Sequence, residues 1–194
     1  MKLKNVLVYG HSQAQPSGMG DDMVAALKAK GVKFKRVGLQ GRNDGGLLQE
    51  YADQGLGDPA QYDTIFLYGH GNNSTEAQTQ KLVAFLGPER TVLVLPPVNV
   101  DRVVPDATAE QRLAKQKQRL DTFPGLLGVP VYGIWGNAQD FKNDEVHMRP
   151  GTKVGKGLVA RMLQDREGGS IAPGLLVGGL VALAVVLALA TRRR

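Results

Sequence analysis

Ser12 and the segment Asp144-Glu145-Val146-His147 carry the residue types that could do chemistry together. Ser12 closes the run Asn5-Val6-Leu7-Val8-Tyr9-Gly10-His11, which reads as a buried first strand. Such a strand delivers a hydroxyl to the carboxyl edge of a sheet, where open α/β folds hold their ligands. Hydrolysis through a serine needs a base for the hydroxyl proton, a group that orients the base, and donors for the developing oxyanion. Of three histidines, His11 and His70 lie in glycine turns, so His147 is the natural base. Asp144, three residues earlier, is spaced to hold the second ring nitrogen and fix the tautomer. The N–H groups of Ser12 and Gly41 and the side-chain amide of Asn72 are candidate oxyanion donors.

Each residue also has a structural reading. A serine or asparagine after a strand turns the chain, a loop glycine relieves a positive φ, and Asp144 could cap a helix. The conjunction of all of them favours a site. His11 and His70 flank the expected cleft and are candidates for substrate contact. Three histidines without a fourth ligand at fixed spacing argue against zinc, so no metal is assigned, and this chemistry requires no cofactor.

The elements that must position these residues alternate strand-like and helix-like patterns, which predicts a mostly parallel five-stranded sheet flanked by helices. Strands are expected at 6–9, 34–39, 63–68, 91–95 and 129–135. Helices are expected from Asp21 to Gly31, over 47–51, from a Ser74 cap to about Phe85, over 108–120 and over 151–163. The loop 136–150 carries the Asp144/His147 pair.

At these residues the chain resembles the SGNH (GDSL-type) serine hydrolases. Gly10-His11-Ser12 resembles their nucleophile block, Gly41 in Gly38-Leu39-Gln40-Gly41-Arg42 their oxyanion glycine, and His70-Gly71-Asn72-Asn73 their oxyanion asparagine block. Asp144-Glu145-Val146-His147, followed by Pro150 and Gly151, resembles their late Asp-x-x-His. The resemblance spans about residues 5 to 165. It implies a flavodoxin-like, three-layer α/β/α sandwich and a serine esterase acting on acyl or acetyl esters of lipids or carbohydrates, cell-wall sugars included. Two positions depart from the pattern. His11 stands where the family has a structural Asp, and the third block makes Asn73 an alternate to Asn72.

Charge and composition bound the rest. The formal charge is +6, and Arg192, Arg193 and Arg194 supply three of those positives. The remaining +3 does not argue for a nucleic-acid surface. Cysteine is absent, which excludes disulfides and thiolate chemistry. Residues 171–190 hold twenty positions without a charge, about 30 Å of helix and enough to cross a bilayer. The expected organisation is a catalytic domain over 1–165, a polar, glycine-containing hinge over 166–170, a transmembrane helix over 171–191 and a basic tail over 192–194. Gly174, Gly178 and Ala182 form a small-residue stripe that could pair two such helices.

Sidedness is not fixed. The N-terminus runs straight into the first strand, which favours late, tail-first insertion, whereas the terminal arginines favour the cytoplasmic side. The cell envelope and the internal membrane of a virus particle are both open as locations, and the second would reconcile the two. The rival functions are a flavodoxin-like phosphate or flavin binder using the loop after strand one, and a degenerate, membrane-anchored structural or recognition protein on the hydrolase fold.

Overall fold

The computed structural model describes residues 3–168. Five strands form one parallel sheet: β1 (Asn5–His11), β2 (Lys33–Leu39), β3 (Thr64–Tyr68), β4 (Thr91–Val94) and β6 (Val131–Tyr132), in the order β2-β1-β3-β4-β6. This is the flavodoxin-like strand order, whose ligand crevice opens at the carboxyl ends of the strands. β1 is an inner strand, pairing with β2 from Asn5↔Lys33 to His11↔Leu39 and with β3 from Val6↔Thr64 to Gly10↔Tyr68.

Alternation along the strands sorts side chains into two cores, one on each face. Val6 and Val8 of β1 join Phe66, Tyr68, Val92 and Val94 on one face. There they pack under α1 (Gly20–Ala29) through Met23 and Leu27, and under α5 (Lys153–Gly168) through Leu158, Val159, Met162 and Leu163. Leu7 and Tyr9 join Ile65, Leu67 and Leu93 on the other face. These pack under α2 (Asp44–Glu50), α3 (Glu76–Leu86) and α4 (Ala109–Leu127). Burial on both faces explains why the inner strands read as unbroken apolar runs. Gly10 is required by close approach, because a Cβ there would lie 2.3 Å from the Tyr68 carbonyl oxygen.

Several expectations shift on the structure. The cap of α3 is Thr75, which forms a capping box with Gln78. Ser74 instead accepts from the Asp44 N–H and donates to the Gly71 carbonyl. Helix α4 does not stop at Leu120. It runs through Pro124 to Leu127, because Leu120, Phe123 and Leu127 share a buried face, and Gly128 (φ 66) closes it.

The expected strand at 129–135 is two short pieces. Pro96 and Pro97 deprive the neighbouring chain of two N–H groups, so the ladder breaks after β4. Pairing resumes as a separate two-stranded sheet, β5 (Val98–Asn99) with β7 (Trp135–Gly136). Gln116 bridges the break, donating to the Pro96 and Ile134 carbonyls.

Helix α5 continues to Gly168, so residues 166–168 belong to the domain rather than to a hinge. Arg166 fixes that end, donating to Thr64 Oγ1 and to the carbonyls of Asp63 and Glu89. The expected transmembrane helix over 171–191, with Gly174, Gly178 and Ala182, lies outside the described residues. Among the described residues no helix is long and apolar enough to cross a membrane.

Gly10→Ala is expected to lower the unfolding free energy by about 3 kcal/mol, since the clash is with main chain that cannot move aside. Denaturant unfolding of the two proteins measures it, and an unchanged midpoint would contradict the packing described.

Candidate functional site

Ser12 sits at the first position past β1, opening a 3-10 turn over Ser12–Ala14. Arg36 of β2 clamps that turn from below, donating to the Ala14 carbonyl at 2.5 Å and to Asp21 at 2.6 Å in the first turn of α1. The hydroxyl is thus presented by a braced turn at the carboxyl edge of the sheet.

His147 arrives from the far end of the chain on a pinched loop. Phe141 and Met148, both buried, form an antiparallel bridge that closes the six-residue excursion between them. Lys142 N–H donates to the His147 carbonyl at 2.8 Å, and Glu145 N–H donates to the Lys142 carbonyl at 2.9 Å. Glu145 takes a left-handed backbone (φ 59) to make the turn. The Asp144 carboxylate accepts the N–H groups of Val146 (3.0 Å) and His147 (2.9 Å) through Oδ1, and faces His147 Nδ1 at 2.6 Å through Oδ2.

Across 135 residues of sequence, His147 Nε2 lies 2.7 Å from Ser12 Oγ. Partial burial opposes ionisation of Asp144. It is outweighed by the His147 N–H, the imidazole and the Val146 N–H, which hold the carboxyl at about 2. An ionised carboxylate on Nδ1 places the imidazole proton there and leaves Nε2 free to accept from the serine hydroxyl. The three side chains expected from the sequence form one hydrogen-bonded line, with the geometry that serine, base and orienting carboxylate need.

The remaining expected residues cluster on two neighbouring loops. Gly41 turns the chain after β2 with φ 72. Asn72 donates its side-chain N–H to the Arg42 carbonyl at 2.7 Å, which joins the loop after β3 to the turn after β2. His70, Asn72 and Asn73 all have left-handed backbones (φ 55, 51 and 62). Such strain, of order 1 kcal/mol or more per residue, concentrates at functional loops.

His11 and His70 are inside the protein rather than on a cleft wall, with exposures of 3% and 6%. His11 Nε2 faces the Gly69 carbonyl at 3.3 Å, and its ring fills the space where a Cβ on Gly71 would stand, 2.5 Å away. His11 therefore joins the serine strand to the Asn72 loop. His70 Nδ1 meets Thr79 Oγ1 at 2.9 Å, and its ring packs edge-on against Phe123.

Two contributors escaped the sequence reading. Asp44, fully buried at the start of α2, accepts the His70 N–H through both oxygens and the Thr79 hydroxyl at 2.5 Å. Burial pushes its carboxyl up, against those hydrogen bonds. It welds the two oxyanion-candidate loops together, and only the Asn43-Asp44 cap pattern hinted at it. The second is Gln13, which donates to the Val146 carbonyl at 3.0 Å. Among the described residues no group of three or more His, Asp or Glu side chains could hold a metal ion.

No protein-family model matches the sequence, and no curated protein is similar to it. Solved structures are similar. An acetyl xylan esterase from Geobacillus stearothermophilus superimposes with TM-score 0.57 at 16% identity, over 87% of this chain and 96% of that one. An α/β hydrolase enzyme from the metagenome of Lake Arreo, Spain, gives 0.54 at 12% identity, over 86% and 95%. A GDSL-like lipase from Bacteroides thetaiotaomicron gives 0.53 at 15% identity, over 86% and 89%. The chain shares the fold of GDSL-type ester hydrolases.

The buried imidazoles predict a pH dependence. Burial, opposed by the Gly69 carbonyl and reinforced by His147, lowers His11 from 6.5 to about 4. Burial, together with Arg119, Lys115 and His11, lowers His70 equally. Between pH 6.5 and 4 the unfolded chain binds protons that the folded one refuses, so stability falls as pH drops through that window. Asp44, with its raised carboxyl, acts in the opposite sense at acidic pH. Thermal melting should fall across the window, and more gently in His70→Gln. Identical slopes in the two proteins would remove burial of His70 as the cause.

Proposed function

We propose that this protein is a serine esterase in which Ser12 is the nucleophile, His147 the general base and acid, and Asp144 the group that orients the imidazole. The observation that carries the reading is the 2.7 Å approach of Ser12 Oγ to His147 Nε2, with Asp144 2.6 Å from the other nitrogen. The shared fold with ester hydrolases supports it.

In this reading Ser12 Oγ bonds to the ester carbonyl carbon while its proton passes to His147 Nε2. The Asp144 carboxylate stabilises the resulting imidazolium without taking its proton. The carbonyl oxygen becomes an oxyanion, received by N–H donors from Ser12, Gly41 and Asn72, with Asn73 as the alternate side chain. Such donors are each worth on the order of 3 kcal/mol in the transition state. The tetrahedral centre collapses, the C–O bond to the alcohol breaks, and His147 returns the proton to the leaving oxygen. Water then attacks the Ser12 acyl-enzyme by the same steps in reverse, releasing the acid.

The proposed substrates are acyl or acetyl esters of lipids or carbohydrates, cell-wall sugars included. The chain's charge-free run over 171–190 supports the further proposal of a single-pass C-terminal membrane anchor.

Ser12→Ala and His147→Ala should each cut hydrolysis of p-nitrophenyl acetate by about 10³-fold or more, to background. A fluorophosphonate probe should label Ser12 in the wild type and nothing in Ser12→Ala. Asn72→Ala should lower kcat by about 10²-fold. Equal rates in the wild type and the Ser12 and His147 variants would sink the enzyme reading. For the anchor, full-length protein should partition with detergent or membranes and a chain ending at Gly168 should not. Equal partitioning would exclude it.

A further inference from the structure

Gln13 follows the proposed nucleophile and is only 3% exposed. A buried glutamine beside a reactive serine is unusual unless both halves of its amide are used. Here one half is used. Gln13 Nε2 donates to the Val146 carbonyl at 3.0 Å, across 133 residues of sequence, while Oε1 is buried with no hydrogen-bond partner among the described residues. The carbonyl can only accept, so the orientation of the amide is set by its partner. An orphaned acceptor costs stability, and such residual costs concentrate where function demands a particular group.

The partner explains the demand. The Val146 carbonyl belongs to the peptide joining Val146 to His147. The opposite end of that peptide, the His147 N–H, donates to Asp144 Oδ1 at 2.9 Å. Because a peptide is planar and stiff, pinning its oxygen and its nitrogen fixes the His147 Cα that follows. The His147 carbonyl is pinned too, by Lys142 N–H at 2.8 Å. Of these three ties, two are internal to the loop. The Gln13 bond is the one of the three that connects the loop to the turn carrying Ser12, beside the His147–Ser12 contact itself.

We infer that Gln13 is a positioning residue that sets the distance between His147 and Ser12 by anchoring the Val146 carbonyl. The inference rests on the esterase reading for its kinetic consequence but not for its geometry. Without the tie, the Asp144–His147 pair moves as a unit with its loop. The imidazole then keeps its carboxylate but drifts from the hydroxyl.

Gln13→Met keeps the length and bulk of the side chain and removes both the donor and the orphaned acceptor. A displacement of about 1 Å at the reacting atoms predicts a fall of about 10²-fold in kcat for p-nitrophenyl acetate, with KM within about threefold of wild type. Tm should stay level or rise. A merely structural role predicts the reverse, a lower Tm with kcat intact. A kcat within about twofold of wild type, or loss of activity together with Tm, would overturn the inference. A second readout needs no substrate: the low-field proton NMR signal of His147 Nδ1–H, assigned by its loss in His147→Ala. It should be sharp in the wild type and broadened or shifted in Gln13→Met. If the wild type hydrolyses no ester but that signal responds, the esterase reading fails and the positioning stands. An unchanged signal overturns the positioning.

Discussion

β1 is hydrogen-bonded along both edges, to β2 and to β3, and its residues from Val6 to His11 are buried. A strand so enclosed cannot slide or tilt without breaking two ladders and exposing two cores at once. Its carboxyl end is consequently held from both sides, and it is there that the chain places Ser12. Every other site element is located relative to that point. The His11 ring lies against Gly71, Gln13 reaches Val146, and Arg36 secures Ala14 and Asp21.

The loops around this fixed point are held by polar groups that a stable core would ordinarily omit. Asp44 is a carboxylate with no exposure, compensated by the His70 N–H and the Thr79 hydroxyl. His70, Asn72, Asn73 and Glu145 adopt backbone conformations that disfavour side chains. Strain and buried polarity lie at the carboxyl edge because loops alone, without ladders, must there hold several groups in one arrangement. The two apolar cores below supply the stability that offsets them.

How much of this was visible in the sequence follows from the physics of each element. β1, β3 and β4 were legible because a strand covered on both faces is a continuous apolar run. The meeting of Ser12 with Asp144 and His147 was anticipated because a hydroxyl–imidazole–carboxylate line restricts residue type and spacing. The break after β4 was not: two adjacent prolines mark the end of a strand, but not that pairing resumes directly after them, at Val98, with a different partner. The helix expected over 108–120 runs on past Pro124, because Phe123 and Leu127 bury enough apolar surface to carry α4 beyond it. Ser74 was expected as the cap of α3, but its hydroxyl is taken by the Asp44 N–H and the Gly71 carbonyl, and Thr75 caps instead. Gln13 and Asp44 act through partners 133 and 26 residues away, and a pairing of that kind leaves no local pattern.

Helix α5 begins just after the loop that carries His147 and ends where Arg166 grips the opening residues of β3 and the approach to β4. It therefore traverses the full height of the sheet, from the rim that bears Ser12 to the opposite one. Helix α5 thus ends at the edge of the sheet opposite Ser12. Were the proposed anchor to continue from Gly168 into a lipid surface, Ser12 would face outward, about a helix length of 24 Å above that surface. Oriented that way, the proposed esterase site would meet esters on a facing polymer or in solution more readily than those in the leaflet that holds it.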